Sequence, residues 1–201
     1  MPPPDPADNR EGWTGTRPLV TGLPVVIGAV VVGAVLIVLV ASLGRQPDLV
    51  ARLSQQYTAM MAGTLVPEIH TADPVKLADA FRTSGLPFTV RVSSLEPEFR
   101  LIGGRATSVH DRATAAWMYR SPDAEMMLVE AFSAPLAELG ASDDRRVDRP
   151  PELFLYRKTT QTIVCWQDGP LVYALISTLP TEQVVRLARR AAAGVLPPAS
   201  H

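Results

Sequence analysis

The stretch 161-QTIVCWQDGPLVYALIST-178 decides the fold. Two apolar runs, rich in β-branched and aromatic residues, flank the turn tripeptide Asp168-Gly169-Pro170 and read as strands 161–167 and 171–178 of one hairpin. So short a link forces antiparallel pairing, because parallel strands need a crossover of about a dozen residues or more. Trp166 and Tyr173 flank the turn and are expected to meet across it as an aromatic pair. Cys165 sits inside the apolar TIVCW and reads as a buried structural thiol.

Working outward, the same pattern predicts strands at 88–92 (FTVRV), 99–105 (FRLIGGR), 114–120 (TAAWMYR), 125–132 (EMMLVEAF) and 152–158 (ELFLYRK). Ser121-Pro122-Asp123 supplies another tight turn. The stretch 133–151, with four arginine and aspartate neighbours at 143–146 and the pair Pro150-Pro151, reads as a charged loop. Ahead of the strands, Asp73 as N-cap and Pro74 in the first turn open a helix that closes at Gly85, with Val75, Leu77, Ala78 and Phe81 as its buried stripe. After Pro180 a last helix places Val184, Ala188, Ala191 and Val195 on one face and Arg186, Arg189 and Arg190 on a solvated one. Helix, antiparallel β-meander and helix make residues 67–196 an α+β domain, followed by a tail at 197–201.

The N-terminal part is different chemistry. Residues 18–44 carry no charge, and 23-LPVVIGAVVVGAVLIVLVASL-43 gives 21 uncharged residues, enough helical rise to cross about 30 Å of hydrocarbon. It is expected to be a transmembrane helix rather than a cleaved leader, whose apolar core spans only about 7–15 residues. Arg10 and Arg17 on one side against Arg45 and Arg52 on the other leave the orientation undecided by charge. Ala29 and Gly33 form a small-xxx-small pair, the spacing that lets a second copy approach closely as a homodimer. Residues 1–17, with four prolines in the first six positions, read as a disordered tail. Residues 45–66 read as a juxtamembrane helix and linker, with Leu49, Leu53, Tyr57 and Met60 at helical spacing.

Composition excludes several functions. The chain holds 19 basic and 20 acidic residues; two and three of these precede residue 45, so the remainder is neutral and offers nucleic acid no basic field. One cysteine excludes a disulfide framework and any multi-Cys cluster. No G-x-S-x-G elbow occurs, and Glu96 and Glu98 read as solvated carboxylates about Pro97. Gly103-Gly104-Arg105 lacks the residues of a P-loop or a dinucleotide site and reads as a bulge or a close backbone approach. Met60, Met61, Met118, Met126 and Met127 with His70 and His110 are a candidate Cu(I) set, although alternation puts Met126 and Met127 on opposite faces. No cofactor is expected.

The strings FRLIGGR (99–105), AAWMYR (115–120) and TIVCWQDGPLVYALISTLPTEQVVRLAR (162–189) together resemble the extracytoplasmic region of membrane-bound anti-sigma factors and related transmembrane transcriptional regulators of bacteria. Gly103, Gly104, Arg105, Tyr119, Trp166 and Tyr173 carry the resemblance, as structural or partner-binding positions. The resemblance implies an inner-membrane protein with a cytoplasmic N-terminus and a periplasmic sensory domain that acts through protein partners, in a sigma-factor pathway or in the envelope. The family's cytoplasmic His-x3-Cys-x2-Cys zinc domain has no counterpart in the 17 residues ahead of the apolar run. The expected function is therefore non-enzymatic regulation. The alternative is an envelope assembly or metallochaperone-like protein that handles a metal or cofactor near the membrane.

Overall fold

The computed structural model describes residues 48–109, 112–147 and 149–195. The tail 1–17, the apolar run with its small-residue pair, His110 and the tail 197–201 lie outside the described residues. No described helix is long and apolar enough to cross a membrane.

The described part is α+β: three helices, α1 (Leu49–Met61), α2 (Pro74–Thr83) and α3 (Thr181–Val195), on one seven-stranded antiparallel sheet. Its strands are β1 (Arg100–Val109), β2 (Arg112–Arg120), β3 (Met126–Ser133), β4 (Asp144–Arg146), β5 (Leu153–Lys158), β6 (Gln161–Asp168) and β7 (Leu171–Ser177). The decisive hairpin is β6–β7, with Trp166 opposite Tyr173 and Gly169 at φ 59°, the left-handed geometry that glycine takes without strain.

The expected single meander is corrected. Strand order is β1-β2-β3-β7-β6-β5-β4, so two meanders, β1 to β3 and β4 to β7, join where β3 pairs with β7. Both of these strands are central and covered on both faces, which is why LVYALIS is apolar without alternation and every residue of β7 is buried.

Three local expectations also change. FTVRV (88–92) alternates like a strand but joins no ladder. The backbone there is tied to side chains instead: the Tyr173 hydroxyl accepts from the Arg91 amide at 3.4 Å, and the next turn of chain is fixed by Tyr119 donating to the Ser93 carbonyl at 2.5 Å. The charged stretch 133–151 contains a 3₁₀ turn, Leu136–Leu139, and the short edge strand β4, which borrows its ladder from β5. Val75 is 69% exposed, since α2 turns only Leu77 and Phe81 fully inward.

The helix caps follow from sequence. Asp73 accepts from the Val75 and Lys76 amides at 2.9 and 3.3 Å, and Asp48 accepts from Ala51 at 2.9 Å. Helices α2 and α3 cover one sheet face, burying Phe81, Trp117, Tyr119, Trp166, Tyr173, Leu187 and Ala188. Helix α1 covers the other, where Leu49, Leu53, Tyr57 and Met60 pack on Met118, Leu128, Phe132, Ile163 and Ile176. The helix that sequence read as juxtamembrane is thus packed against the sheet. The arginine face of α3 is engaged too, with Arg186 reaching Glu98 at 3.3 Å and Arg190 reaching the Glu96 carbonyl.

Candidate functional site

The six positions singled out by sequence fall into two groups. Gly103, Gly104 and Arg105 lie on the edge strand β1, where the chain at 68–69 docks as an extra rung: Gly104 exchanges backbone hydrogen bonds with Ile69 at 2.9 Å each way. A Cβ on Gly103, whose φ is +141°, would stand 2.2 Å from the Ile69 carbonyl oxygen, and one on Gly104 2.7 Å from that of Ala116. Only glycine allows both approaches. Arg105 pins the same segment through Glu68 at 2.8 Å.

Tyr119, Trp166 and Tyr173 lie in the core beneath α3. Trp166 and Tyr173 stack with ring centres 5.5 Å apart and planes 11° from parallel, and Trp117 meets Tyr173 edge-on at 6.2 Å. Trp117 donates its indole N–H to the Tyr119 hydroxyl at 3.0 Å. Burial pushes the Tyr119 phenol above its ordinary range. This cluster fixes the loop 91–93 to the sheet and encloses no room for a ligand.

A roomier concavity lies elsewhere, at the rim where β1 starts. A groove of about 730 Å³ opens beyond the Ile69 rung, between His70-Thr71-Ala72, the turn at Glu96-Pro97, the start of β1 and the end of β2 at Arg120-Ser121-Pro122. Its size falls in the range of small-ligand sites. Ile102, Pro97 and Pro122 give it apolar surface, and two cations face it: Arg100 and Arg120 are direct cross-strand partners. Like charges in that register repel.

Among the described residues neither Arg100 nor Arg120 has an ion-pair partner, and Arg120 donates only to the Met126 sulfur at 3.4 Å. Their neighbours do otherwise: Arg82, Arg105, Arg112, Arg145, Arg146, Arg186 and Arg190 each hold a carboxylate. Glu96 borders the groove, and its carbonyl is taken by Arg190. Two adjacent guanidiniums suit a carboxylate or phosphate, which each can grip in a planar fork.

The Ser121 hydroxyl in the groove accepts from the Glu125 amide at 3.0 Å, a contact that closes the β2–β3 turn. His70 is exposed at the groove wall, and Met126 and Met127 point to opposite faces of β3. Among the described residues no three His, Cys, Asp or Glu side chains stand close enough to hold a metal ion. Cys165 is fully buried on the α1 face, and burial pushes its thiol well above the usual range.

Sequence reasoning passed over Arg100 and Arg120, because nothing in FRLIGGR or AAWMYR says that their arginines meet. The signal is the register of the β1–β2 hairpin, which pairs Val109 with Arg112 at its turn end, combined with the β1 bulge between Leu101 and Gly103. It also passed over Glu130, which looks like the polar member of an alternating strand but is fully buried in β3 with both carboxyl oxygens lacking a partner. In that apolar setting its pKa is pushed up to about 8. No protein-family model, curated protein or solved structure matches the chain.

Proposed function

We propose that this chain is a single-pass membrane protein whose residues 48–195 form a non-enzymatic sensory or regulatory domain, working by protein–protein interaction in the manner of the outer part of membrane-bound anti-sigma factors. In this reading the apolar run 23–43 crosses the inner membrane of a bacterium, with residues 1–17 in the cytoplasm and the folded domain outside. One observation carries it: the groove sets Arg100 and Arg120 side by side, without carboxylate partners among the described residues, next to Pro97, Ile102 and Pro122. Such a surface offers a partner a charge to meet and apolar area to cover, which is recognition chemistry. Chain continuity supports the reading as well, since α1 starts at Leu49, five residues after the uncharged stretch ends at Gly44.

The test is affinity purification from detergent-solubilised membranes of three versions: full length, one lacking residues 2–17, and one carrying Arg120→Glu. A sigma factor or small cytoplasmic zinc protein retained only when the tail is present, with an envelope protein lost on Arg120→Glu, is the expected result. Recovery of respiratory or metal-assembly proteins alone, equally with all three versions, overturns the reading in favour of envelope assembly.

A further inference from the structure

Beyond the groove, on the opposite side of the sheet from α2 and α3, the chain buries an acid that no fold requirement explains. Glu130 lies in a row running across the sheet through Ala116, Glu130, Ala174, Cys165 and Phe154. Both of its direct neighbours are alanines, which leave room for its carboxyl and offer it no polar atom. Above it is a void of about 10 Å³, enclosed by Leu49 and Leu53 of α1, Arg112 of β2 and Phe132 of β3, the space of one water. Arg112 faces the same void with its Nη1 atom buried and unpartnered, while its Nη2 is held by Glu138 at 2.6 Å.

The charged and titratable surroundings are sparse. On α1 the inward residues are Leu49, Val50, Leu53, Tyr57 and Met60, and the Gln56 side-chain oxygen is buried without a partner. Asp48 and Arg52 of that segment are exposed, and Asp48 pairs with Lys158 at 3.5 Å. From β2 comes Arg112, from the 3₁₀ turn Glu138, from β6 Cys165 and from β5 Tyr156, whose phenol is itself raised to about 12, chiefly by burial. Strand β7 contributes only Val172, Ala174 and Ile176.

A neutral carboxyl fits this site, since it can share a proton with one water. An ionised one needs water or a cation beside it, and the cation that lines the void, Arg112, is already held by Glu138. The strands around it are locked by ladders. Helix α1 is not: apart from side-chain packing, its ties to the sheet are Tyr57 donating to the Met126 carbonyl at 3.1 Å, a 3.4 Å hydroxyl contact to Thr178, Gln161 donating to Thr58 at 3.1 Å and the exposed Asp48–Lys158 pair. It is the element that can yield. We infer that α1 is a proton-dependent latch, seated on the sheet while Glu130 carries its proton and loosened, admitting water over β3, when the proton leaves. The latch would act on the helix that directly follows the apolar run, and it stands independently of what the groove binds.

The experiment is amide hydrogen exchange by mass spectrometry on the full-length protein in detergent micelles between pH 6 and 9.5, corrected for the intrinsic pH dependence of exchange and referenced to α3. Peptides covering Leu49–Met61 are expected to lose at least tenfold protection between pH 7 and 9, while β2 and β3 change little. Glu130→Gln, which keeps the shape and cannot ionise, is expected to abolish the loss; Glu130→Leu serves the same purpose if the glutamine variant does not fold. Protection of α1 that tracks α3 throughout, as would follow if Arg112 simply swings from Glu138 to neutralise Glu130, overturns the latch. So does an unchanged pH response in a folded variant.

Discussion

At the residue scale, two kinds of position are intolerant for different reasons. Gly104 has backbone and an aromatic ring within 2.8 Å of where a Cβ would go, and neither Ala116 nor Phe81 can retreat without moving β2 or α2. Gly104→Ala is expected to cost about 2–3 kcal/mol, as overpacking of a tight core does. A urea midpoint lowered with an unchanged slope checks this. Glu130 is costly in the native sequence itself. Its folded pKa, about 8, lies above the ordinary 4.5, so the folded state holds a proton that the unfolded state has lost, and stability falls as pH rises through that window. The slope attributable to this group approaches about 1.4 kcal/mol per pH unit between those values and vanishes above them. Urea unfolding of Glu130→Gln at pH 5, 7 and 9 is expected to show that component gone. A mutant curve parallel to the native one would mean that Glu130 ionises freely in the fold.

At the scale of elements, the loop 86–95 shows how a segment is held without a ladder. Tyr119 takes the Trp117 indole proton and gives its own to Ser93, whose hydroxyl donates in turn to the Ala191 carbonyl of α3 at 2.7 Å. Tyr119→Phe leaves the buried indole N–H and the Ser93 carbonyl without partners, so a loss of about 2–3 kcal/mol is expected. It should be accompanied by faster exchange in 88–94, and an unchanged stability would show that water fills the gap. The same loop shows what a sequence can and cannot say. The hairpins were readable because Ser121-Pro122-Asp123 and Asp168-Gly169-Pro170 act locally on the strands beside them. FTVRV has the alternation of a strand, but its hydrogen-bond partners are a tyrosine hydroxyl from another hairpin and side chains that no local pattern reveals. Asp144-Arg145-Arg146 shows the reverse, a strand with no strand-like residue, made by the free edge of β5. The groove stayed hidden for a related reason: Arg100 and Arg120 are 20 residues apart in sequence and become neighbours only through a register that includes a bulge.

At the scale of the whole molecule, function and stability can be separated at one position. Arg120→Glu turns a repulsive cross-strand pair into an attractive one, so the variant is expected to be as stable as the native protein or more stable by about 0.2–1 kcal/mol. It should nonetheless lose the partner taken by the groove. Thermal unfolding alongside the affinity purification checks both halves, and a variant that keeps its partner at native stability would remove the groove from the argument. The sheet itself was legible only in part. Each meander follows from short links, whereas the union of β3 with β7, about 40 residues apart, is a choice made by burial: both are the strands with enough apolar side chains to be covered on two faces.

That union has a consequence for how the chain could be divided. One half of the sheet ends with β3 and the other begins with β4, and between them Gly140 and Ala141 are exposed, with Gly140 at φ 76°. Among the described residues the ladder that joins the halves is β3 with β7, and side chains of both halves fill the two cores beside it. Residues 1–140 and 141–201, co-expressed as separate polypeptides, are expected to find each other and complete the sheet without a peptide bond between them, which would offer a split reporter whose reassembly reads the state of the β3–β7 seam.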